Sequence, residues 1–109
     1  MGKFLLLFIG GNFPENKFEQ SVTDRQQWMQ ALKDKDKFVD GSPLSPVGKV
    51  IVNQRDAKNY VHDQESVNGF AIIKASDTQE AVAIAMDAPQ ARAEYGSAHV
   101  EIRQLQPLI

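Results

Sequence analysis

Two stretches of the chain are apolar at every position: Phe4-Leu5-Leu6-Leu7-Phe8-Ile9 and Phe70-Ala71-Ile72-Ile73. A strand with one solvated face alternates, so an unbroken run marks a strand covered on both sides. The segment from His99 to Arg103 does alternate. Val100 and Ile102 point one way and His99, Glu101 and Arg103 the other, the pattern of an edge strand. Two segments have helical spacing instead. Val22, Trp28 (or Met29) and Leu32 share one side of a helix over 21–34, with Ser21 or Thr23 as its cap and Asp24 or Gln26 completing a capping box. Ala81, Ile84, Ala85 and Ala88 line a second helix over 77–88, opened by Ser76-Asp77 and stopped by Pro89. The remaining strands are read at 37–41, 48–54, 58–62 and 98–105, beside the two apolar ones at 3–9 and 69–74.

This order predicts an α+β domain over 1–109, a split β-α-β sandwich of the ferredoxin-like kind with an antiparallel sheet. In that arrangement the first and third core strands are central, and they are the two doubly apolar ones here. Both helices cover one face of the sheet. The rest of the chain is too short to cover the other, so the expected cover is the same face of a second copy about a two-fold axis. The expectation is a homodimer.

Composition narrows the chemistry. The chain has no cysteine, which removes disulfides, thiolate metal sites and thiol catalysis and fits a reducing compartment. A net charge of −2 and lysines scattered or alternating with aspartate (Lys33, Lys35, Lys37) give no track for nucleic acid. The apolar run at 4–9 is too short for a membrane span or a signal core, and Gly10-Gly11-Asn12-Phe13-Pro14 follows it directly. A cytoplasmic protein without membrane or nucleic-acid partners is expected. No metal-ligand spacing, phosphate loop or nucleophile elbow occurs, so no cofactor is expected.

In order and spacing, several segments resemble the YCII-related family, its DGPF-type branch included, within the dimeric α/β-barrel superfamily. They are the opening strand Lys3–Ile9, the helix ending at Leu32, Phe38-Val39-Asp40-Gly41-Ser42-Pro43-Leu44, Gly69-Phe70-Ala71-Ile72-Ile73, Asp77 to Ala81, Asp87-Ala88-Pro89 and Val100-Glu101-Ile102-Arg103. The resemblance spans nearly the whole chain and implies the same fold. YCII-type members carry a histidine early in the first helix, thought to form a catalytic dyad with an aspartate. That position falls on Arg25 here, and arginine does not exchange a proton near neutral pH. The DGPF signature is also missing, the loop between Tyr60 and Gly69 being short and altered.

Five residues are candidates for contact with a ligand. Arg25 offers a fork for a carboxylate. Trp28, one turn on, belongs to the core stripe and offers an indole ring to a pocket. Ser42 lies in the turn Asp40-Gly41-Ser42-Pro43. His62 stands beside Asp63 and Glu65 before a central strand, and His99 lies on the polar side of the last strand, where the family often has a histidine. The resulting expectation is a dimer that binds a small organic molecule, anions included, between the first helix and the sheet, with the histidine dyad lost. The alternative is a cofactor-independent enzyme of the dimeric α/β-barrel type acting on a small acid or aromatic compound.

Overall fold

The computed structural model describes residues 2–11, 14–52, 54, 56–60, 63 and 65–107. In chain order the elements are β1 (Gly2–Ile9), α1 (Phe18–Asp34), β2 (Phe38–Pro43), β3 (Lys49–Val52), β4 (Asp56–Asn59), β5 (Val67–Ala75), α2 (Thr78–Met86) and β6 (His99–Gln104), with short 3₁₀ turns at Glu15–Lys17, Pro89–Ala91 and Ala93–Tyr95. Four strands form one sheet in the order β2-β5-β1-β6, with every pairing antiparallel. The two apolar runs are therefore the central strands and the alternating one is an edge. This is the ferredoxin-like α+β fold, with its two helices on one face.

The buried face is built by Phe4, Leu6 and Phe8 of β1 and by Ala71, Ile73 and Ala75 of β5. Leu32 and Trp28 of α1 and Ala81 and Ala85 of α2 pack against it. Alanines at these positions let α2 lie close to the sheet without a bulky side chain to displace. The opposite face carries Leu5 and Leu7 of β1 and Phe70 and Ile72 of β5, which are only half-buried. Leu7 sits directly across from Phe70 on one side and Glu101 on the other, and Leu5 from Ile72 and Arg103. An apolar centre with a charged rim is thus left uncovered by the chain's own helices.

The helix limits depart from the sequence pattern in instructive ways. α1 begins three residues before Ser21, with Lys17 at its N-cap and no side-chain cap. Ser21 and Thr23 lie inside the helix, where their hydroxyls donate back to the carbonyls of Phe18 and Glu19. That local bond competes with capping and uses the same residue types. In α2 the expected cap holds: Asp77 accepts a hydrogen bond from the Glu80 N–H at 2.8 Å. The helix ends at Met86 rather than 88, and Pro89 opens the following 3₁₀ turn.

β3 and β4 pair only with each other, apart from the main sheet. β4 lies at Asp56–Asn59 where the sequence suggested 58–62. Val50, Ile51 and Val52 are exposed on this hairpin. No helix among the described residues is long and apolar enough to cross a membrane.

Candidate functional site

A cleft of about 770 Å³ opens between α1 and the sheet. It exists because small residues lie beneath the helix. Gly41 of β2 and Gly69 and Ala71 of β5 form its floor, with Phe8, Trp28 and Phe38 around them. A Cβ on Gly41 would come within 2.9 Å of the Phe70 carbonyl oxygen, and one on Gly69 within 3.2 Å of the Ser42 carbonyl oxygen. Glycine is therefore required at 41 for β2 and β5 to approach as they do, and a side chain at 69 would need β2 to give by a few tenths of an ångström. At one end Gly10 and Gly11 turn the chain out of β1 with positive φ angles of 68° and 92°. Asn68 ties this turn down by donating from its side chain to the Gly10 carbonyl at 2.7 Å.

Trp28 is held from two sides. Its indole N–H donates to the Ile84 carbonyl of α2 at 3.2 Å, and its ring meets Phe8 edge-to-face with centroids 6.3 Å apart. The indole thus offers the cleft an apolar ring and no free N–H. Arg25 lies on the same wall. Its Nε donates to the Ser21 carbonyl at 3.3 Å, and it forms no ion pair among the described residues. Ser42 also lines the cleft, with its hydroxyl donating to the Pro43 carbonyl at 2.9 Å. The cleft thus brings together three of the sequence candidates: Arg25, Trp28 and Ser42. His99 is elsewhere. It pairs with Ile9 on the uncovered face of the sheet, because strand alternation turns Val100 inward and His99 outward. His62 lies outside the described residues. No group of three or more metal-ligating side chains occurs among the described residues.

The wall facing α1 comes from the segment between α2 and β6, for which the sequence pattern gave no signal. Gln90, Tyr95 and Ala98 of this segment line the cleft. Tyr95 is almost fully buried and its hydroxyl donates to Asp24 Oδ2 at 2.5 Å, while Arg92 Nη1 reaches the same oxygen at 3.3 Å. One carboxylate on α1 therefore fastens two side chains of the opposite wall. The hydrogen bond to Asp24, with burial and the carboxylate charge behind it, pushes the Tyr95 phenol up to about 12 from its ordinary 10. The folded protein holds this proton more tightly than the unfolded chain does. The stability it contributes is complete below pH 10 and is lost as the pH rises through about 12. Denaturation followed across that window should show the loss in the wild type and a flatter profile in Tyr95→Phe. Equal profiles would remove Tyr95 as the group responsible.

An antiparallel four-stranded sheet in the order β2-β5-β1-β6 with two helices on one face defines the ferredoxin-like class of α+β proteins. A solved structure similar to this chain is 5-chloro-2-hydroxyhydroquinone dehydrochlorinase (TftG) from Burkholderia phenoliruptrix AC1100, in complex with 2,5-dihydroxybenzoquinone. The two share 13% sequence identity with a TM-score of 0.57, covering 95% of this chain and 93% of that one. At such identity the likeness is one of fold. No protein-family model and no curated protein matches the sequence.

Proposed function

We propose that the protein is a cytoplasmic, YCII-like homodimer that binds a small organic acid with an apolar body in the cleft between α1 and the sheet. The observation that carries this reading is Arg25, a guanidinium without an ion-pair partner among the described residues, on the wall of an otherwise largely apolar cleft. A cation in such a place favours a carboxylate, and the rings of Phe8, Trp28 and Phe38 suit a flat apolar body. Arg25 stands where the YCII resemblance places a histidine, so the position keeps a charged contact and loses proton exchange. The uncovered face around Leu5, Leu7, Phe70 and Ile72 supports the dimer.

Binding of small aromatic carboxylates and their neutral amides, followed by calorimetry, tests the reading. The acids should bind preferentially, and Arg25→Ala should weaken them about tenfold or more, since a hydrogen bond to a charged group contributes roughly 1.5–3 kcal/mol. Equal binding of acids and amides, unchanged by the substitution, would reduce Arg25 to a surface residue. A second reading, a cofactor-independent enzyme, is favoured by the dehydrochlorinase likeness and by the Tyr95–Asp24 pair at the cleft wall. It calls for turnover of an aromatic acid that Arg25→Ala slows and Tyr95→Phe abolishes.

A further inference from the structure

Gln90 carries an unsatisfied group at the cleft. Its side-chain Oε1 is shut off from solvent and accepts no hydrogen bond from any described residue, although Gln90 lines the cleft. An unpaired buried acceptor is a standing cost in a folded protein. The main chain cannot move to relieve it, because the Gln90 carbonyl accepts from the Ala98 N–H at 3.0 Å and fixes the segment. Two donors of the same segment are engaged with carboxylates: Arg92 Nη1 with Asp24 and Glu94, and the Tyr95 hydroxyl with Asp24. What remains free is rotation of the side chain itself, and the space beside it is the cleft.

We propose that Gln90 is a specificity residue, turning its amide into the cleft to accept a hydrogen bond from a hydroxyl or amino group on the ligand. The preferred ligands are then hydroxy- or amino-substituted acids, held by Arg25 on the α1 wall and by Gln90 on the wall facing it. This rests on the reading of the cleft as a site for organic acids. It adds a second polar contact and a reason for a glutamine at a position where leucine would pack without an orphaned atom. A ligand with only a carboxylate leaves the acceptor unsatisfied, whereas a ligand bringing a donor satisfies it.

The test compares benzoate with 3- and 4-hydroxybenzoate by titration calorimetry on the wild type, Gln90→Leu and Gln90→Met. At least one hydroxybenzoate should bind the wild type about tenfold more tightly than benzoate. Within each variant the preference for the hydroxybenzoate over benzoate should be lost. Without ligand both should melt a few degrees higher, because the orphaned acceptor is gone; two variants guard against one that packs poorly. If the wild type binds benzoate and the hydroxybenzoates equally, or the variants keep the preference, the role of Gln90 is overturned while the acid site stands. Lower melting temperatures in both variants would mean that Oε1 has a partner in the folded chain, and would also overturn it. If no acid binds the wild type, the acid site falls and the inference with it.

Discussion

Leu7→Lys will convert the protein from a species of about twice 12.1 kDa into one of 12.1 kDa in light scattering at micromolar concentration. Leu7 lies at the centre of the uncovered face, between Phe70 and Glu101 on the neighbouring strands. In a two-fold interface the substitution occurs twice, so two ammonium groups must leave water together. Burying one unpaired charge costs several kcal/mol, so a rise in dimer Kd of roughly a thousandfold or more is expected. The single chain should stay folded, because Leu7 is only half-buried within it and a lysine there reaches water in the monomer. A wild type that already runs as a monomer would remove the reason for the open apolar face. A variant that remains dimeric would move the interface elsewhere.

Trp28→Ala should lower the stability of the fold by about 3 kcal/mol, the lower end of the range for emptying a buried aromatic site, because the ring is only partly buried. The loss combines the ring's packing against Phe8 with its hydrogen bond to the Ile84 carbonyl, which joins α1 to α2. Trp28→Phe separates the two. It keeps much of the ring and drops only the hydrogen bond, for about 1 kcal/mol. Urea denaturation followed by circular dichroism measures both. Trp28 is the chain's one tryptophan, so intrinsic fluorescence reports on the wild-type cleft alone and is lost in either variant. A loss of under 1 kcal/mol in Trp28→Ala would show that the helices do not depend on this contact.

What could be read from the sequence follows from how each feature is encoded. β1 and β5 were legible because both of their faces are apolar, and β6 because an edge strand alternates. The start of α1 was not, since serine and threonine serve equally as caps and as interior residues bonded back to the preceding turn. The β3–β4 hairpin carries no buried face, so its limits leave no periodic trace. Arg25 and Trp28 could be found together because three residues on a helix return to nearly the same side. Tyr95 and Gln90 could not: the Tyr95–Asp24 bond joins positions 71 apart, through a segment with neither helical nor strand spacing. The resemblance to YCII-type proteins drew attention to Arg25, but nothing in it pointed to the opposite wall.

The floor of the cleft has a consequence for how its selectivity can change. Gly41 and Gly69 are crowded by the neighbouring backbone, so a side chain at either meets a carbonyl oxygen of the adjacent strand. Ala71, directly opposite Gly41 in the β2–β5 register, already carries a Cβ and is itself buried in the core. The depth of the cleft is thereby set by backbone packing beneath it. A larger residue at any of the three crowds the sheet or the core before it reshapes the cleft, so selectivity is altered more readily at the walls, where Arg25 and Gln90 stand. A lineage or a designer can retune the ends of the site while its bore stays fixed.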